Sequence, residues 1–143
     1  MLSAAPIAAD DTGLRDALVA ADLPTEDLAE PGRSFFRFDR DGDVVGFGGF
    51  ELYGPDALLR SVVVVPERRG TGVGTDVSQQ LIALAREAGA EQVYLLTTSA
   101  AGFFRRLGFA QVDRIEAPAA ILSTQQATTI CSTAAMLSRS TSP

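Results

Sequence analysis

At 143 residues the chain is long enough for one domain with a proper core. A formal net charge of -6, with 46% apolar and 21% charged residues, is ordinary for a globular protein and disfavours nucleic acid and anionic membrane surfaces, which require a basic face. There is no histidine and one cysteine, Cys131. A metal site therefore lacks its usual ligands and no disulfide can close within the chain, which fits a reducing cytoplasm.

The opening residues carry no basic region followed by an apolar run, so no signal peptide is expected. No stretch approaches the ~20 apolar residues of a membrane span. Every basic residue is an arginine, the side chain better forked for carboxylates and phosphates. In chain order, residues 6–9 predict a short strand. Asp11 or Thr12 then caps a helix whose Leu14, Ala17, Leu18 and Ala21 share one face, and Pro24 ends it. Thr25 can cap a short turn through Leu28, and Glu30, Pro31 and Gly32 read as loop.

From Arg33 the period changes to two. Residues 34–40 predict a strand, Asp41-Gly42 a tight hairpin turn, and residues 44–53 the returning strand. Glycines at 46, 48 and 49 within that strand point to a bulge or a close backbone approach. After the turn at Gly54-Pro55-Asp56, residues 57–65 form a strand apolar on both faces except at Arg60 and Ser61, and hence central in its sheet.

Pro66 stops that strand, and Arg69-Gly70-Thr71-Gly72-Val73-Gly74 leads into a helix with Val73, Val77, Leu81, Leu84, Ala85 and Ala88 at helical spacing and Gly89 as its stop. A helix start carries unpaired N–H groups and partial positive charge, and the glycines let an anion approach the backbone. The turn therefore predicts a pyrophosphate site. Residues 92–97 predict a strand. Thr98 or Ser99 caps a short helix through Leu107, with Gly108 as its stop, and residues 109–115 predict another strand. Residues 118–127 read as short helix or loop, 133–137 as a last strand, and 138–143 as a frayed end.

Two segments together carry a family resemblance: Val64-Val65-Pro66-Glu67-Arg68-Arg69-Gly70-Thr71-Gly72-Val73-Gly74, and Ala100-Ala101-Gly102-Phe103-Phe104-Arg105-Arg106-Leu107-Gly108-Phe109. The first resembles the Q/R-x-x-G-x-G/A signature of GNAT N-acetyltransferases, the second their A-x-x-F-Y-x-x-L-G-F segment. Leu58-Leu59-Arg60-Ser61, Thr97-Thr98 and 117–121 further resemble small members found beside bacterial arsenic-resistance genes. The resemblance implies a single α+β domain over 1–143, with a mixed, mostly antiparallel sheet of six to seven strands flanked by helices. It implies a cytoplasmic acyltransferase that uses acetyl-CoA as co-substrate and a small-molecule amine as acceptor, and it is compatible with a homodimer.

On these residues, Arg68, Arg69, Gly70, Thr71, Gly72, Val73, Gly74 and Thr75 would hold the pyrophosphate. Val63, Val64 and Val65 would pair with the pantetheine arm, and a backbone N–H near Val64 would receive the oxyanion. Phe104 stands where many members carry a proton-donating tyrosine, and Leu58 where many carry a glutamate. Water or Ser99 would then protonate the thiolate, or it would leave unaided.

The base candidates are Glu51 and Asp56, with Tyr53 as a weaker acid or substrate contact; Glu51 reads equally as a solvated end-of-strand charge. Arg60 must meet an anion, either an internal partner such as Glu51 or Asp56, or the anionic group of an amino-acid-like acceptor, joined by Arg33 and Arg37. Cys131, a single thiol, is a poor ligand for arsenic. The rival readings are a non-catalytic acyl-CoA-binding or sensory module, and a dinucleotide-binding dehydrogenase. The latter fails because antiparallel hairpins precede the glycines.

Overall fold

The computed structural model describes residues 2–21, 23, 25, 28, 32–97, 100–122 and 135–142. Among them the strands are β1 (Leu2–Ile7), β2 (Arg33–Arg40), β3 (Asp43–Tyr53), β4 (Asp56–Val64), β5 (Gln92–Thr97), β6 (Ala110–Val112) and β7 (Ala135–Ser140). The helices are α1 (Thr12–Ala20), α2 (Val73–Glu87), α3 (Ala101–Arg106) and α4 (Ala119–Leu122). The strands form one mixed seven-stranded sheet in the order β1-β2-β3-β4-β5-β7-β6, as the expected fold class requires. No helix among the described residues is long and apolar enough to cross a membrane. The chain divides into two compact units, Met1–Glu51 with Leu59–Leu81, and Leu52–Leu58 with Ile82–Pro143.

In the first unit β1 runs antiparallel to β2 from Leu2 opposite Arg40 to Ile7 opposite Phe35. It begins four residues before the predicted strand, and Pro6 is tolerated because β1 has a neighbour on one side only. The β2–β3 hairpin closes through Asp41 and Gly42, at φ 52° and 84°. Two successive left-handed residues match the right-handed twist of the flanking strands. Asp11 caps α1 by accepting from the Leu14 N–H at 2.9 Å. Leu14 and Leu18 then pack with Leu28, Phe35, Phe47 and Val63, and Ala17 and Ala21 join the edge of that core. Of the short turn expected at Thr25–Leu28, residues 26 and 27 lie outside the described residues, and the Leu28 N–H donates to the Thr25 carbonyl at 3.4 Å.

Gly46 settles one of the glycine expectations. A Cβ there would stand 2.6 Å from the Val63 carbonyl oxygen, so only glycine lets β3 and β4 come this close. Ser61 is the other special position, a non-glycine residue at φ 59° in the middle of β4. Strict alternation would put Arg60 and Val62 on one face. Instead the Arg60 guanidinium lies 5.7 Å from the centre of the Phe35 ring, and Val63 packs beside Phe35 and Phe47. Val62 meets the opposite side, near Gly48, Phe38 and Leu81. The left-handed residue resets the alternation.

In the second unit β4 pairs parallel with β5 over Asp56–Leu58 against Gln92–Tyr94. β7 pairs antiparallel with β5 along its whole length and with β6 over Ala110–Val112. The expectation of a frayed end at 138–143 is therefore wrong for 138–142. Ser138 is buried, its hydroxyl donates to the Val93 carbonyl at 3.0 Å, and the Thr141 hydroxyl donates to the Ala90 carbonyl at 2.9 Å. Hydroxyls with such partners can lie inside a sheet, and a serine-rich composition hides this.

The strand predicted over 109–115 is only β6, followed by a 3-10 turn at Arg114–Glu116. α3 starts from Ala100 without a side-chain cap, and the Thr97 hydroxyl accepts from the Ala100 N–H at 2.9 Å just before it; Thr98 and Ser99 lie outside the described residues. So do Cys131 and residues 123–127. A separate core joins Leu58, Ala117, Ile121 and Met136, with Tyr53, Tyr94 and Leu96 packed against it.

Candidate active site

The turn between β4 and α2 is built almost entirely by backbone. The Val65 N–H donates to the Val45 carbonyl at 2.9 Å, fixing the end of the valine run. Pro66–Arg68 makes one 3-10 turn, and the Thr71 hydroxyl donates back to the Arg68 carbonyl. Gly70 and Gly72 sit at φ 80° and 85°, where a side chain would be strained.

The Asp76 N–H reaches the Gly72 carbonyl at 3.2 Å, the first helix-type bond of α2. The N–H groups of Val73, Gly74 and Thr75 in this first turn have no carbonyl four residues back within the helix. They lie at the positive end of a 15-residue helix, and a Cβ at Gly70 or Gly72 would have open space around it. Donors left over at a helix start suit an anion such as a phosphate.

Charged side chains surround the turn in two pairs absent from the sequence reading. Arg68 holds Asp43 at 3.0 Å, and Arg40 holds Asp76 at 2.6 Å. Arg40 and Asp43 face each other across the hairpin closed by Asp41-Gly42, so both pairs join the hairpin tip to the turn. The recognisable Asp-Gly signal was the available clue to this. Arg69 lies exposed, its Nε donating to the Val64 carbonyl at 3.3 Å.

A second, buried constellation lies in the same unit. The Arg60 Nη1 donates to the Glu51 Oε2 at 2.9 Å, with both side chains 1% exposed. The Arg33 guanidinium approaches the same carboxylate at 3.6 Å, and the Arg60 Nε donates to the Ser61 hydroxyl at 3.1 Å. Of the partners open to Arg60, the structure selects Glu51, and Glu51 is no solvated end-of-strand charge. Asp56 lies at the far end of β4 from Val64. Arg37 stands apart from Arg60, paired with Asp39 at 3.1 Å and 41% exposed. Ser61 was the member missed, because nothing in a lone serine signals left-handed backbone.

The remaining named residues belong to the second unit. Phe104 is buried and meets the rings of Phe103 and Phe109 edge to face, at 5.0 and 5.5 Å. Tyr53 packs against the Leu58 core. Burial, then the charge of Glu91, raises the Asp56 carboxyl above its ordinary range. Burial and then Asp56 raise the Tyr94 phenol, against a hydrogen bond with Ser138 that lowers it. Among the described residues no group of three or more potential ligands could hold a metal ion.

Residues 6–109 match the acetyltransferase (GNAT) family. An uncharacterized N-acetyltransferase of Chlorobaculum tepidum, CT2212, is 32% identical over 90 residues, 62% of this chain and 57% of that protein. The amino-acid acetyltransferase of Mycobacterium tuberculosis is 33% identical over 76 residues, 52% of this chain and 43% of that protein. The chain thus spans about half the length of these curated relatives.

Among solved structures, N-acetylglutamate synthase of Neisseria gonorrhoeae, complexed with coenzyme A and N-acetyl-glutamate, superposes with a TM-score of 0.79 at 15% identity, covering 100% of this chain and 36% of that one. This last likeness establishes the fold. Since the family match spans most of the residues, from β1 through α3, the chain belongs to the acetyltransferase (GNAT) family.

Proposed function

We propose that the chain is one acetyltransferase domain that moves an acetyl group from acetyl-CoA to the amine of a small, anionic, amino-acid-like molecule. The observation that carries this reading is the start of α2, whose first N–H groups have no partner within the helix, preceded by two left-handed glycines. That set fits a diphosphate, and when bound acetyl-CoA supplies the activated thioester. The backbone from Arg69 to Thr75 would hold its diphosphate. Val63–Val65 would lie along the pantetheine arm, and an N–H near Val64 would stabilise the oxyanion.

Proton handling asks little of the side chains. Phe104 has no proton to give, and a thiol with an ordinary pKa of about 8.5 can leave without a dedicated acid. The Glu51 Oε2 accepts from Arg60 and the side chain is sealed from solvent, so we assign Glu51 and Arg60 to holding β4 rather than to acid–base work. Tyr53 we assign to its core. The acceptor would bind as the neutral amine and lose its proton to water after attack. Arg37 is our candidate for the acceptor's anionic group, since an exposed pair with Asp39 is easily exchanged. The amino-acid acetyltransferase of M. tuberculosis supports an amino-acid-like acceptor.

The test is incubation with acetyl-CoA and an amine panel, with released thiol as the readout. The panel pairs each amino acid with its decarboxylated analogue and includes arsenic-containing amino-acid analogues, as the resemblance to arsenic-linked members suggests. Turnover of the carboxylated member of a pair, with KM raised by Arg37→Ala, is the expected result. CoA binding without turnover across the panel would replace this reading with the acyl-CoA-binding module, for which Phe104 in place of a tyrosine is the favouring observation.

A further inference from the structure

We infer that Ser61, Arg60 and Glu51 are positioning residues for the acetyl donor, locking a left-handed kink in β4 that sets how the backbone of Val63–Val65 is presented. This rests on the acetyl-CoA reading above. Ser61 occupies φ 59°, a region that disfavours a non-glycine residue unless something holds it. The holding contact is visible. The Arg60 Nε donates to the Ser61 hydroxyl at 3.1 Å, and the other side of the same guanidinium is fixed by Glu51 at 2.9 Å.

A serine here therefore does what a glycine would do, but only while Arg60 is anchored. The kink decides which groups of the following residues face β3. Immediately after it the Val63 carbonyl comes against Gly46, the Val65 N–H reaches Val45, and the Val64 carbonyl accepts from Arg69 in the phosphate turn. A straight β4 would rotate each of these groups to the other side. A buried ion pair is weak evidence for stability, since apolar replacements of similar size often serve as well. One whose guanidinium also grips a strained neighbour has a second use.

The experiment measures CoA affinity by calorimetry and unfolding temperature in parallel. In Ser61→Gly the backbone keeps φ without a lock, so CoA affinity stays within about twofold of the parent. Ser61→Val weakens it about tenfold or more, the left-handed region being closed to a β-branched residue. Should that variant not fold, Ser61→Ala carries the same prediction with a smaller loss.

The apolar pair Glu51→Leu with Arg60→Met, made in an Arg33→Met background so that no charge is stranded beside the lost carboxylate, folds but binds CoA about tenfold more weakly. Adding Ser61→Gly to that pair restores affinity to within about threefold. A merely structural ion pair would show no such rescue. If the parent binds CoA and the apolar pair binds it equally well, or the added glycine restores nothing, this inference falls and the functional reading stands. If the parent binds no CoA, both fall.

Discussion

The glycine turn before α2 and the Glu51–Arg60 cluster lie in the same unit and solve opposite problems. The turn leaves the first N–H groups of α2 without partners in the helix, its charged pairs are partly exposed, and its glycines leave open space. The cluster removes a carboxylate and a guanidinium from water almost completely. Exposed pairs are worth about 0–1 kcal/mol and exchange readily with an incoming anion. A buried pair cannot be halved without stranding a charge. On the proposed function, recognition is placed where electrostatics are cheap to change, and shape where they are not.

The sharpest way to break this comparison is to halve the buried pair. Arg60→Ala leaves Glu51 sealed without its principal partner and should destabilise the fold by about 3–5 kcal/mol, read from urea unfolding. A change below about 1 kcal/mol would mean that water reaches Glu51 and that the cluster belongs with the turn. Next comes Gly72→Val. A β-branched residue at φ 85° should reduce CoA affinity more than tenfold while costing only about 1–2 kcal/mol of stability. An unchanged affinity would remove the turn from donor binding.

Smaller still is Arg40→Ala, which releases an exposed Asp76 at the start of α2. Stability should change by less than about 1 kcal/mol, while CoA affinity falls a few-fold at low salt and less at high salt. The smallest effect is a pH dependence in the second unit. Burial and Glu91 raise the Asp56 carboxyl in the folded state, so the folded chain binds this proton more tightly than the unfolded chain. The contribution of Asp56 to stability is then fully present below about pH 3.9, is lost as pH rises through the raised value, and is constant above it. Asp56→Asn should remove that fall and raise the melting temperature slightly at neutral pH; an unchanged profile would assign the slope elsewhere.

These effects differ in how visible they are in the residues themselves. The turn was legible because glycines and a helix start speak through backbone, which sequence encodes directly. The hairpin at Asp41-Gly42 was legible for the same reason. Arg60 announced itself as a charge needing a partner, and the choice between Glu51 and Asp56 waited on strand register. The kink was not legible, since strand alternation is the rule used to read β4 and Ser61 breaks that rule through a side-chain bond to its own neighbour. Residues 138–142 were misread because serines and a threonine bond inside a sheet as readily as they fray.

The position of β7 bears on how the polypeptide folds as it is made. β7 follows every other described strand, yet it lies between β5 and β6, zipped to both. Until it emerges from the ribosome, β5 and β6 each expose a hydrogen-bonding edge with no occupant. The second unit must therefore wait for its final strand before it can close. The hairpin and α1 of the first unit draw on residues synthesised early and close together, and can condense sooner.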